Sequence, residues 1–265
     1  MPNAGRTGLH LLFHSKAASV WPPLPEPDGH MQIQAVLFDV FGTIVDWRTG
    51  VATEAKRFFD AKSIGVDPHE FADAWRGEYQ PAMERIRSGG RGYVALDTLH
   101  RENLEIVLDG YGIANRFSDL EKAELNHTWE KLPPWPDSVP ALTKLKHHYI
   151  IAPCSNGSIA LMTRLAKFGD LPWDAIVGAD IAGTYKPQPG AYLKSAAALG
   201  LAPESVLMVA AHNDDLTAAR ACGLKTAFFA RPNEHGSHAK GETAASSDWD
   251  YIATDALNLA EKLIL

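Results

Sequence analysis

Ile33-Gln34-Ala35-Val36-Leu37-Phe38-Asp39-Val40-Phe41-Gly42-Thr43 decides how the rest of the chain is read. The run before Asp39 is apolar and short, which predicts a buried strand. Gly42 is a natural place for the chain to turn. An aspartate at the carboxyl end of a buried parallel strand stands where open α/β sheets place ligands. A carboxylate held there can attack an electrophilic centre and form a covalent ester. Phe41 carries neither proton nor charge, so it cannot serve Asp39 as an acid partner.

Outward from this stretch the pattern changes twice. Residues 51–132 predict helices over Val51–Lys62, Pro68–Arg87, Tyr93–Gly110 and Ser118–Lys131. Asp67-Pro68 supplies an N-cap and a first-turn proline, and Ser118-Asp119-Leu120-Glu121 matches a capping box. Pro133-Pro134-Trp135-Pro136 closes the block. Beyond it, strands and helices alternate. Strands are predicted at His148–Cys154, Ala175–Asp180, Ser205–Ala211 and Lys225–Ala230, with helices at Ala141–His147, Ser158–Phe168, Pro189–Leu199 and Asp215–Cys222. That order implies an α/β fold with a doubly wound parallel sheet, to which the first strand belongs. The expected organisation is a core over 31–48 and 133–265 with an inserted helical cap over 49–132. Residues 1–30 are expected to be a disordered extension, preferred here over a transit peptide. Residues 233–247 read as a loop.

The overall balance excludes some partners. Net charge is −7, with 25 Lys and Arg scattered among 32 Asp and Glu, which argues against nucleic acid. No apolar run approaches the ~18–20 residues that cross a bilayer. Cys154 and Cys222 sit apart in apolar contexts and are read as reduced thiols of a cytoplasmic protein, in preference to a disulfide.

Phe38-Asp39-Val40-Phe41-Gly42-Thr43, Ser155-Asn156-Gly157, Lys186-Pro187 and the Asp215 segment follow the order of the four motifs of the haloacid dehalogenase superfamily, which the chain resembles over roughly residues 31–260. The resemblance implies a Rossmann-like core. Two departures select a branch. The superfamily's phosphatases carry an aspartate where this chain has Phe41, and a Gly-Asp pair where it has Ala210-Ala211. Magnesium needs hard oxygen ligands, so a phosphate ester would be poorly held. The chain is instead similar to the type II 2-haloacid dehalogenases, which use neither metal nor cofactor. Trp75-Arg76-Gly77-Glu78-Tyr79 resembles that branch's cap segment, and Tyr192 follows Lys186 at the branch's spacing.

The resemblance implies a role for each residue. Asp39 attacks C2 of a small 2-haloacid, and water then cleaves the ester at the Asp39 carbonyl, giving the 2-hydroxy acid. Lys186 keeps Asp39 ionised beside a second anion. Thr43 and Ser155 donate hydrogen bonds to Asp39 and to the substrate carboxylate. Arg76 receives the halide, with Asn156 as a second donor, and Phe41, Trp47 and Trp75 supply apolar walls. Tyr192 and Asn213 are expected at the substrate. His212 stands where better-known members have asparagine. Either it takes a proton from the hydrolytic water or Asp215 orients that water, with Asp215 otherwise holding Lys186. The polar His212-Asn213-Asp214-Asp215 loop suits a haloacetate, fluoroacetate included. A homodimer is implied by the branch. Competing readings are a magnesium-dependent phosphatase, a hydrolase that opens a strained ring carboxylate through the same ester, and a non-catalytic binding protein.

Overall fold

β1 (Ala35–Phe38) is wholly buried and pairs in parallel along both edges. The computed structural model describes residues 33–236 and 241–265; the expected extension at 1–30 lies outside the described residues. After β1 the chain leaves the sheet through α1 (Trp47–Lys62), α2 (Pro68–Gly77), α3 (Tyr79–Arg87), α4 (Leu96–Gly110) and α5 (Asp119–Asn126). It returns through α6 (Ser138–Lys146) to β2 (Ile150–Ser155), α7 (Ile159–Phe168), β3 (Val177–Gly178), α8 (Ala179–Ala182) and α9 (Pro189–Ala198). It ends with β4 (Val206–Ala210), α10 (Asn213–Ala221), β5 (Lys225–Phe229), β6 (Tyr251–Ala253) and α11 (Ala256–Ile264).

The six strands are all parallel, in the order β3-β2-β1-β4-β5-β6. This is a doubly wound order, and the chain reverses direction across the sheet between β1 and β4. Asp39 follows β1, and His212 follows β4, so both stand at the reversal. The Asp39 amide donates to the carbonyl of Val209 in β4 at 2.9 Å, which carries the pairing one residue past β1.

Local chemistry accounts for the helix starts. Asp67 accepts from the amides of His69 and Glu70 ahead of Pro68, and Ser118 with Glu121 forms the full capping box. The helix expected over 68–87 is in fact two, α2 and α3. Pro81 has no amide to offer the carbonyl of Gly77, and its ring would press on that carbonyl, so the helix cannot run through. The break matters for function because it lets Arg76 and Tyr79 face the same space. The strand expected over 175–180 shrinks to two residues, since Gly178 takes φ +122 and turns the chain into α8. The helical insertion shares one hydrophobic cluster with the sheet, running from Val36 and Phe38 through Phe59 and Trp75 to Leu104.

Candidate active site

The turn after β1 is pinned from outside. Arg231 donates from Nε to the carbonyl of Thr43 at 2.9 Å, and its Nη1 pairs with Asp137 at 2.9 Å. Thr43 in turn donates to Oδ2 of Asp39 at 2.7 Å while its Oγ1 accepts the amide of Ala211 at 2.9 Å. One hydroxyl thus ties the ends of β1 and β4 together and orients the Asp39 carboxylate.

That carboxylate faces a cavity of about 210 Å³ walled by Asp39, Phe41, Arg76, Asn156, Lys186 and His212, with Tyr79, Gln80, Pro187, Asp214, Asp215 and Glu242 around them. Lys186 Nζ lies 2.8 Å from Asp39 Oδ1 and 2.5 Å from Asp215 Oδ2. The Asn156 side-chain carbonyl accepts the Lys186 amide at 2.8 Å, which positions that lysine's backbone. Tyr192 donates to Asp215 Oδ1 at 2.5 Å. On the other side His212 Nδ1 stands 3.1 Å from Asp39 Oδ2, and Nε2 stands 2.9 Å from Glu234 Oε2.

The charges decide which groups are ionised. Burial alone would raise the Asp39 carboxyl, but Lys186 and His212 outweigh it and hold the group well below the usual carboxylate range. Burial raises the Asp215 carboxyl too, and there Lys186 offsets only part of the effect because the neighbouring Asp39 charge adds to it. Burial opposes the Lys186 ammonium, yet Asp215 and Asp39 raise its pKa above the ordinary lysine value. For His212 burial is likewise overcome, by hydrogen bonds to Asp39 and Glu234, and the ring's pKa rises well above 6.5. His212 is therefore an imidazolium donating from both nitrogens. Cys154, on β2, is no rival nucleophile, since burial pushes its thiol up to about 11.

Arg76 occupies an aromatic cage. Its guanidinium carbon lies 3.9 Å from the ring centre of Tyr79, 5.3 Å from Trp47 and 5.7 Å from Phe41. Its Nη1 is buried without a hydrogen-bond partner among the described residues. A buried guanidinium nitrogen left unpaired at a cavity wall suits an anion that arrives with the ligand. His100 lies behind this cage, its ring stacked on Trp129 at 4.2 Å, and burial with Arg76 nearby keeps it neutral.

Several expected placements change. Ser155 does not reach the cavity; its Oγ accepts the amide of Gly157 at 3.1 Å and holds the turn. Tyr192 acts on Asp215 and is not part of the wall. Asn213 is engaged with Glu242, the carbonyl of Ala244, the amide of Ser246 and the indole of Trp249, so it organises the 241–249 segment and not a substrate. Trp75 is buried against the carbonyl of His100, and Trp47 donates to Glu234, so neither walls the cavity. His212 has no ring nitrogen free to take a proton from water, because each faces a carboxylate. Glu234 and Glu242 went unassigned in the sequence: they lie in a loop without periodicity, and only an acid in a Ser-, Gly- and His-rich segment hints at them.

A magnesium ion of the kind the superfamily's phosphatases use does not fit this donor set. Both oxygens of Asp215 are taken, by Lys186 and Tyr192, and Ala211 brings no carboxylate.

The backbone near Asp39 leaves no room for change. Gly42 has φ +89, and a Cβ there would stand 2.1 Å from Glu234 Oε1. Gly42→Ala is expected to cost at least about 2 kcal/mol of stability, read by denaturant unfolding. A variant as stable as the parent would show that Glu234 does not occupy this notch.

Comparison with known proteins agrees with the geometry. A family model for haloacid dehalogenase-like hydrolases matches residues 33–223. The crystal structure of a defluorinating L-2-haloacid dehalogenase is 50% identical, covering 88% of this chain and 96% of that one with a TM-score of 0.86. A second L-2-haloacid dehalogenase structure is 43% identical over 87% of this chain and 99% of its own, with a TM-score of 0.81. The (S)-2-haloacid dehalogenase 1 of Pseudomonas sp. (strain CBS-3) is 29% identical, covering 76% of this chain and 86% of its own. With an aspartate ending β1 at the reversal of a doubly wound sheet, and this match over most of its length, the chain belongs to the haloacid dehalogenase-like hydrolases.

Proposed function

We propose that the chain is a metal-independent hydrolytic dehalogenase of small 2-haloacids. One observation carries the reading: Asp39 is ionised at a cavity wall by two cations, with the apolar Phe41 where a leaving-group acid would otherwise stand. A halide leaves without a proton, whereas an alkoxide leaving from phosphate does not, so the missing acid selects the chemistry.

In the first step an Asp39 oxygen displaces the halide from C2, with inversion where C2 is chiral. The C–X electron pair leaves on the halogen. Charge grows there only in the transition state, so the caged Arg76 lowers the barrier selectively, and Asn156 adds an amide donor. In the second step water adds to the ester carbonyl of Asp39. Collapse returns the Asp39 carboxylate and releases the 2-hydroxy acid; one proton and one halide are released overall. If Oδ1 is the attacking atom, Oδ2 becomes the carbonyl oxygen, where Thr43 and His212 already donate to the developing oxyanion. Asp215 lines the same cavity and holds Lys186 beside the returning carboxylate.

The relatives named above are L- and (S)-2-haloacid dehalogenases, one of them defluorinating, which supports L-2-haloacids and haloacetates, fluoroacetate included, as substrates. Fluoride, the poorest leaving halide, gains most from the charged donors at Arg76. The cytoplasmic setting and the homodimer belong to the same proposal. The first is supported by the free thiols of Cys154 and Cys222, the second by the branch resemblance alone. No described helix is long and apolar enough to cross a membrane.

A single turnover of chloroacetate in ¹⁸O water tests the reading. The label is expected in the side chain of the Asp39 peptide, read by mass spectrometry. Label confined to glycolate would mean that water attacks carbon directly, and the ester route would be wrong.

A further inference from the structure

We propose that Glu234 is a positioning residue for dehalogenation, holding His212 as a doubly donating imidazolium against Oδ2 of Asp39. The inference rests on the dehalogenase reading above and extends it to a residue outside the four motifs.

Glu234 is built into its place. It is 2% exposed, and each of its oxygens has a donor: Trp47 Nε1 at 3.0 Å on Oε1, and His212 Nε2 at 2.9 Å on Oε2. Its carboxylate fills the notch that the missing Cβ of Gly42 leaves. Trp47 opens α1, so the helical insertion, the loop after β5 and the loop after β4 all converge on one carboxylate. A buried acid with this many fixed contacts is not a solvent-facing loop residue.

The arrangement has a consequence in time. Before attack, His212 faces two carboxylates, Asp39 and Glu234. Ester formation removes the charge of Asp39. From then on Glu234 is, among the described residues, the one carboxylate in contact with the ring, at the stage when negative charge must develop on the Asp39 carbonyl. The other charged groups nearby, among the described residues, do not bond to the imidazole. Lys186 is engaged with Asp39 and Asp215, and Asp214 and Glu242 accept from the amides of Asp215 and Asn213. Arg76 sits in its cage, and His235 lies 3.9 Å from Glu234 Oε2. Glu234 thus sustains the imidazolium through the second step. Without it, burial favours the neutral ring, and the oxyanion loses a charged donor.

The full-length chain and its Glu234→Gln variant test this with chloroacetate as the probe. ¹⁵N NMR of the imidazole in the unsubstituted protein is expected to show His212 titrating well above the ordinary imidazole value of 6.5, with its midpoint lowered toward that value in the variant. Intact mass spectrometry during turnover is expected to show the Asp39 ester accumulating in the variant near pH 8 and clearing near pH 6, while the first equivalent of chloride still appears. The steady-state rate should fall at least about tenfold at the higher pH and recover at the lower. A merely structural role would lower activity equally at both pH values and leave no ester, and that result overturns the proposal. So does a His212 midpoint near 6.5 in the unsubstituted protein, a measurement that needs no variant to fold. Absence of chloride release by the unsubstituted protein would instead refute the dehalogenase reading, while the His212 titration would still report on Glu234.

Discussion

Asp39→Asn is expected to reduce halide release by at least about ten-thousand-fold while tightening the binding of the 2-haloacid. The loss follows from chemistry: an amide oxygen is a poor nucleophile at carbon, and no other described group on the cavity wall combines ionisation with this position. The gain in binding follows from charge. Asp39 and a substrate carboxylate are two anions in one small cavity, and at an effective dielectric of about 20 such a pair 4 Å apart repels by ~4 kcal/mol. Neutralising one of them leaves Lys186 and Arg76 facing the other. Calorimetric titration with chloroacetate should therefore give a dissociation constant lower by about tenfold or more. The fold should survive, because Lys186 keeps Asp215 and His212 keeps Glu234. A chloride electrode reading above about one per cent of the parental rate would show that another nucleophile acts, and the assignment of Asp39 would be wrong.

What could be read from the sequence divides along a physical line. β1 and the capped starts of α2 and α5 were legible because strand burial and capping are local, set within a few residues. Asp39 and Lys186 are 147 positions apart, yet their meeting was legible through the order of motifs at strand ends, since a doubly wound sheet brings those ends together. The break at Pro81 was also local, but helical spacing across 68–87 masked it. The resemblance places Ser155, Tyr192 and Asn213 near the substrate by motif order and spacing. Which partner each takes depends on side-chain direction, which neither spacing nor composition encodes, and all three turned to the protein itself. Glu234 lay furthest from view. Its meaning comes from three contacts, to His212, Trp47 and the bare backbone of Gly42, that exist only once the chain has folded.

Lys186→Met should remove both catalysis and stability, and the dependence of the second on pH exposes the cause of the first. The ammonium sits between Asp39 and Asp215, and all three side chains are nearly buried. Taking away one member of a buried ionic cluster costs about 3–5 kcal/mol, because the remaining charges lose their partner and gain no water. In the parent the signs are mixed. Asp39, with a lowered folded pKa, adds stability that is present above its ordinary value of 3.8 and is lost as pH falls through the folded value. His212, with a raised pKa, adds stability that is present below 6.5 and is lost as pH rises through its folded value. Asp215, raised, subtracts part of this at neutral pH. In the variant, burial acts on Asp39 with His212 and the Thr43 hydroxyl opposing it, and on Asp215 with no cation left in contact and only the Tyr192 hydroxyl opposing it. Both carboxyl groups then hold protons more tightly in the folded chain than in the unfolded one, so stability falls as pH rises. The difference in melting temperature between parent and variant should be small near pH 4 and large near pH 8. Halide release should fall by at least about a thousand-fold, because a protonated Asp39 does not attack and an ionised one has lost the cation that balanced the incoming carboxylate. An equal stability deficit at both pH values would mean that Lys186 contributes packing alone, and the electrostatic account of how Asp39 stays ionised would have to be abandoned.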